Sequence, residues 1–168
     1  MKKILISLAM VLVLAGTMAV PAMAVEEGVT ASVTVSEVID ITISDAGDNG
    51  IQFGELDPDT ADNPDEAQST ADDTIPAVTV AINPATNVNC NVSLKGTDFH
   101  TSIPITGASF AEGAHDVAKT YMTTSYQSVA TSVAPNTDVE LWLFLSIPSG
   151  AAGGAHSSTY TYQIVKTP

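Results

Sequence analysis

Apolar and polar side chains alternate along much of this chain, and the longest run comes early. In "VTASVTVSEVIDITISD", residues 29–45, every odd position through Ile43 is apolar except Glu37, and every even position is small or polar except Val38. Successive side chains of a strand point to opposite faces, so a period of two predicts extended structure. Residues 29–43 in phase would span roughly 50 Å, well beyond the usual strand of about 5–6 residues. The alternation falters at Ser36-Glu37, which predicts two strands or one bulged strand. The second half carries the bulky Ile39, Ile41 and Ile43 and is assigned to the home core. The first half, 29–35, is lighter, with Val29, Ala31, Val33 and Val35 on one face and a free N-terminal end. It can complete its own sheet or a neighbour's.

Downstream, period-two runs recur between clusters of Gly, Pro, Asn and Asp. "DAGDNG" ends in the turn pair Asn49-Gly50, and "IQFGEL", 51–56, is expected as a short strand. Residues 57–73 are crowded with acids, hold two prolines and lack any large apolar side chain, so a surface loop is expected. "IPAVTVAI" (75–82) and "VNCNVSLKG" (88–96) flank the turn "NPATN" and are expected to pair as a hairpin. "SIPITGASF" suggests a short strand with a turn, and residues 111–130 suggest a loop plus a strand, or a segment that includes one helical turn. "VELWLFLSI", 139–147, is apolar on both faces, with Trp142 and Phe144 opposite the Leu side, so it must be covered on both sides. The cover is either this chain or another molecule. "STYTYQIV", 158–165, closes the pattern, and the last two strands are expected to form a hairpin. Convincing helical periodicity is scarce. The fold class that follows is all-β, a single jelly-roll-like or Ig-like β-sandwich.

The first 24 residues read differently. Lys2 and Lys3 precede an apolar run at 4–15, and Ala22-Met23-Ala24 is a small-x-small cleavage site behind Pro21. This is the pattern of a secretory signal peptide, with 25–168 as the mature domain. The alternative, an uncleaved anchor, is disfavoured by the shortness of the apolar run. The expected location is therefore secreted and cell-surface associated, with no membrane-embedded segment after cleavage. Removing Lys2 and Lys3 leaves Lys95, Lys119 and Lys166 against nineteen acids, a formal charge of 3 − 19 = −16. Such a surface repels nucleic acid and anionic lipid. One cysteine, Cys90, allows no internal disulfide, and its phase with Val88, Val92 and Leu94 predicts a buried, inert thiol. On the opposite phase, Asn91-Val92-Ser93 is an N-glycosylation sequon.

Little catalytic chemistry is encoded. His100, His115 and His156 stand in loop-like contexts, with no H-x-x-x-H pair and no G-x-S-x-G elbow, so no enzyme is expected. Calcium is a weak candidate ligand, because Ca²⁺ takes six to eight oxygens. Asp45, Asn49 and Gly50 match positions one, five and six of an EF-hand loop, but Gly47 and Leu56 break the motif. A looser site would use Asp45, Asp48 and Asn49, or Asp57, Asp59 and Asp62. The simpler reading is a turn and a solvated acidic loop. Aromatic candidates for carbohydrate contact are Trp142, Tyr121, Tyr126, Tyr160 and Tyr162, though aromatics in strands more often fill a core.

The signal peptide, the immediate Thr/Ser/Val strand, the "IQFGELDPDTADN" element and the terminal "IPSGAAGGAHSSTYTYQIV" together resemble small exported β-sandwich proteins of archaea and bacteria. These include archaeal bundling-pilus subunits and the TasA and camelysin-like biofilm matrix proteins. The resemblance covers most of the mature chain in pattern. Asp59 stands where the FG-x-L-x-P element often has Gly. The resemblance implies an extracellular fibre subunit that polymerises with copies of itself by donor-strand exchange, 29–35 being the donor. The alternative is a monomeric cell-surface adhesion or carbohydrate-binding module.

Overall fold

The computed structural model describes residues 32–47, 49–69 and 73–168 of the 168-residue chain. The chain divides into two compact units, Met1–Val35 and Ser36–Pro168. Of the first unit only residues 32–35 are described; they carry no regular secondary structure, and Val33 and Val35 are exposed. The expected signal segment 1–24, Val29 and Ala31 lie outside the described residues, as does Asp48.

Among the described residues the second unit forms nine strands: β1 (Ile41–Asp45), β2 (Thr60–Pro64), β3 (Val78–Ile82), β4 (Cys90–Gly96), β5 (Ala108–Glu112), β6 (Thr120–Tyr121), β7 (Gln127–Val133), β8 (Thr137–Ile147) and β9 (Tyr160–Lys166). A 3-10 turn, Ile105–Gly107, precedes β5. One sheet runs β1-β3-β8-β5-β6, with β2 also on β8; the other runs β7-β4-β9. All pairs are antiparallel. The two sheets pack face to face, and the chain is an all-β sandwich.

The alternation seen in sequence builds the core. Val78, Val80 and Ile82 of β3 and Val139, Leu141, Leu143, Leu145 and Ile147 of β8 face Cys90, Val92 and Leu94 of β4 across the sandwich. Each fully buried Val, Leu or Ile contributes about 1.5–3 kcal/mol. Cys90 is fully buried, and burial raises its thiol above the ordinary range, in keeping with an inert side chain.

Strand partners depart from expectation. β3 and β4 lie in different sheets, and so do β8 and β9, so neither expected hairpin exists. The connections explain this. Residues 83–89 and 148–159 both exceed the roughly 2–5 residues of a hairpin loop and can arch across the sandwich. The first arch is pinned to the segment before β1: the Thr86 hydroxyl donates to the Asp40 carbonyl and accepts from the Asp40 amide, both at 2.8 Å. β1 begins only at Ile41. Ile41 packs against the core, whereas Ile39 and Ile43 are exposed, so the assignment of all three to the home core is corrected.

Residues 51–56 are not a strand. Gly54 turns left-handed there (φ 67°), and the segment is held by isolated bonds, Glu66 N–H to the Gln52 carbonyl (2.7 Å) and Gln52 N–H to the Asp65 carboxylate (2.6 Å). The acidic stretch 57–73 is more than a surface loop. β8 has 11 residues; β3 pairs with 137–141 and leaves the rest of that edge open, and β2 takes it at 144–147. A segment poor in apolar residues is thus ordered through backbone bonds. It also answers what covers the second face of β8. Trp142 and Phe144 pack with Ala111, the Trp142 indole N–H donates to the Ser69 carbonyl (3.3 Å), the Gln68 side-chain carbonyl accepts from Leu143 N–H (2.8 Å), and the Lys119 ammonium sits 3.7 Å over the Phe144 ring. The cover is this chain.

Candidate functional site: an open cleft beside an unpaired strand edge

β9 pairs with β4 along one edge; among the described residues its other edge has no strand partner. On that flank a cleft of about 1190 Å³ opens between β1 of one sheet and β9 of the other. Its apolar lining includes Ile43, Phe53, Phe99, Ile103, Tyr160 and Tyr162. The exposure of Ile43 is therefore exposure toward this cleft. Phe53, Phe99 and Tyr160 meet edge to face at centroid distances of 6.2 Å, which fixes the ring orientations.

The alternation in "YTYQI" turns both Tyr160 and Tyr162 toward the cleft side of β9, where their hydroxyls are buried and have no hydrogen-bond partner. Burial pushes both phenols well above their ordinary range, with Tyr162 and the nearby Asp65 carboxylate adding to the effect on Tyr160. An unsatisfied buried hydroxyl costs about 1–3 kcal/mol, and such groups are rare in native cores. Asp65 is buried but satisfied, accepting from Gln52 N–H and, at 3.0 Å, from Ala67 N–H.

One wall of the cleft is the Gly-rich connection 151–159. It is anchored by a pair of imidazoles in tilted contact: His100 and His156 lie with ring centroids 4.7 Å apart and planes at 36°. The His156 Nε2–H donates to the Ala152 carbonyl (2.9 Å), and Ala152 N–H donates to the Ser102 hydroxyl (3.0 Å), which also meets His100 Nδ1 at 2.8 Å. The histidines thus hold the wall in place.

The residues singled out from sequence scatter. Asp45 closes its own turn by accepting from Gly50 N–H (2.7 Å), and Asn49 donates to the Gly47 carbonyl (2.9 Å). Asp59 and Asp62 hold left-handed backbone, and Asp62 pairs with Lys119 at 3.3 Å. Among the described residues the group of carboxylates and imidazole that converges is Asp73, His115 and Asp116; Asp57, Asp59 and Asp62 are not in it. Asn91 stands on the outer face of the three-stranded sheet, its carbonyl oxygen accepting from Ser132 N–H (2.9 Å) and from the Thr167 hydroxyl (3.1 Å). The aromatic candidates do not share a face: Trp142 is sealed, Tyr160 and Tyr162 line the cleft, Tyr121 is exposed on β6, and Tyr126 lies under the Lys95 ammonium at 4.5 Å. The cleft and its unpaired edge went unread in the sequence, because both arise from which strands stop pairing. The one sequence signal was the in-phase tyrosine pair.

Comparison with protein-family models finds no match, and comparison with curated proteins finds none either.

Proposed function

We propose that this chain is an extracellular structural subunit of a pilus-like or matrix fibre, in which residues 29–35 of one copy enter the cleft of the next and add a strand to β9. The observation that carries the reading is the coincidence, on one flank, of an apolar cleft, a strand edge without a partner among the described residues, and two partnerless buried hydroxyls. Each is a need that an incoming strand meets. Its backbone pairs with the open edge, its alternate side chains enter the cleft, and its polar groups reach the phenols. Dimensions agree: seven extended residues span roughly 23 Å, and β9 also has seven. Val33 and Val35, each worth about 1.5–3 kcal/mol if buried, are exposed in the isolated chain. The resemblance of the terminal elements to bundling-pilus and matrix proteins supports the same reading. A head-to-tail joint of this kind does not close on itself and so grows fibres.

Negative-stain microscopy of native secreted material tests this. Filaments are expected, and deletion of 29–35 is expected to leave folded monomers that regain stability when the peptide "VTASVTV" is added. Monomers from the intact chain, with no response of the deletion variant to the peptide, would overturn the proposal. A monomeric carbohydrate-binding module draws on the same orphan hydroxyls, but the cleft rings pack edge to face and present no flat stacking platform.

A further inference from the structure

Among residues that do not line the cleft, two loops bring a histidine and two carboxylates together. Asp73 ends the acidic segment, and His115 and Asp116 lie in the connection between β5 and β6. One donor atom from each of the three falls within 4.8 Å of the others. The pairing is nonlocal: Asp73 Oδ1 accepts from both the backbone N–H and the ring Nδ1–H of His115, each at 2.6 Å, across a separation of 42 residues. One carboxylate thus orients both the loop and the imidazole. Asp116, beside it, is exposed and shows no hydrogen bond or ion pair. Lys119, the basic residue closest in sequence, is engaged with Asp62 and the Phe144 ring.

We infer that Asp73, His115 and Asp116 form a binding site for a divalent transition-metal cation of the Zn²⁺ class. Three considerations select that class. An imidazole nitrogen with two carboxylates is a donor set suited to Zn²⁺ or its neighbours, whereas Ca²⁺ seeks six to eight oxygens. Donors bound at about 2.0–2.2 Å around a tetrahedral cation stand about 3.3 Å apart, so partly exposed side chains already within 4.8 Å need move by little more than an ångström. The formal charge of −14 on the whole chain concentrates divalent cations at its surface. The cation takes the place of the proton on His115 Nδ1, and the ring shifts to the tautomer protonated at Nε2, so the imidazole stays neutral with no net proton released. Water completes the coordination. The consequence is mechanical: the site clamps the end of the acidic segment, which covers Trp142, to the β5–β6 connection.

Isothermal titration of the untagged chain with ZnCl₂ tests the site, alongside His115→Gln and Asp116→Asn. The expected result is one Zn²⁺ per chain, with affinity reduced at least tenfold in each variant and retained in millimolar Ca²⁺. Histidine ring NMR signals of the unmodified chain should shift at His115 and stay in place at His100 and His156. Absence of binding, equal affinity in the variants, displacement by Ca²⁺, or shifts at the other two histidines overturns the inference. Should His115→Gln fail to fold, Asp116→Asn and the NMR titration decide, since Asp116 has no structural partner to lose.

Discussion

At the scale of single residues, the two cleft tyrosines hold the most testable chemistry. Burial raises both phenols above the ordinary value of about 10, so the folded chain keeps protons that the unfolded chain releases. The stability tied to them is complete below about pH 10 and is lost as pH climbs toward the folded values. Absorbance at 295 nm should therefore show a late alkaline step for Tyr160 and Tyr162 that coincides with loss of near-UV circular dichroism. Tyr160→Phe removes a hydroxyl that has no partner, so urea unfolding of the isolated chain should show no loss, or a gain of up to about 1 kcal/mol. The same variant should assemble less well if the cleft is filled by a strand. Asp65→Ala should behave in the opposite way. It leaves the amides of Gln52 and Ala67 without their carboxylate and should lower stability by roughly 3 kcal/mol in the same assay.

Among the elements, β2 shows how much of the fold was hidden. Its residues, "TADNP", carry no strand pattern, and two aspartates in 57–64 adopt left-handed backbone. It exists because β8 outruns β3 and offers an edge. Replacing 57–64 with a Gly-Ser linker should uncover the outer face of β8, and the single tryptophan, Trp142, should report it as a red shift in emission. Gly107, by contrast, is dictated by a close approach of the backbone: a Cβ there would stand 2.7 Å from the Ser146 carbonyl oxygen of β8, a backbone atom that cannot swing away. Gly107→Ala should cost about 1–3 kcal/mol by forcing β5 and β8 apart. The strand content and inward faces of β3, β4, β8 and β9 were legible in sequence, since a period of two needs no partner to be seen. Their pairing was not. A turn such as "NPATN" looks the same whether the chain folds back within a sheet or arches to the other one.

For the whole molecule, charge is the governing term. The formal charge of the whole chain is −14, and the compact chain repels itself. Raising NaCl from 0.05 to 0.5 M should raise the melting temperature, each kcal/mol recovered appearing as roughly 2–4 °C. Salt should likewise speed fibre growth if copies join head to tail, because like-charged subunits must approach. The sandwich shape also follows from unequal sheets. Three strands face a broader sheet, so a flank of the core opens beside β9.

What the sequence determined by itself is the set of properties that depend on neighbours a few residues away: the all-β class, the buried phase of Cys90, the outward phase of Asn91, and the need to cover both faces of β8. Only the tertiary structure decided what depends on distant contacts. It set the sheet to which each strand belongs, placed the acidic segment over Trp142, left one edge of β9 without a partner among the described residues, and brought Asp73 to His115. The physical reason is that alternation records which way a side chain points, while pairing is chosen by the edges and arches that the rest of the chain leaves available.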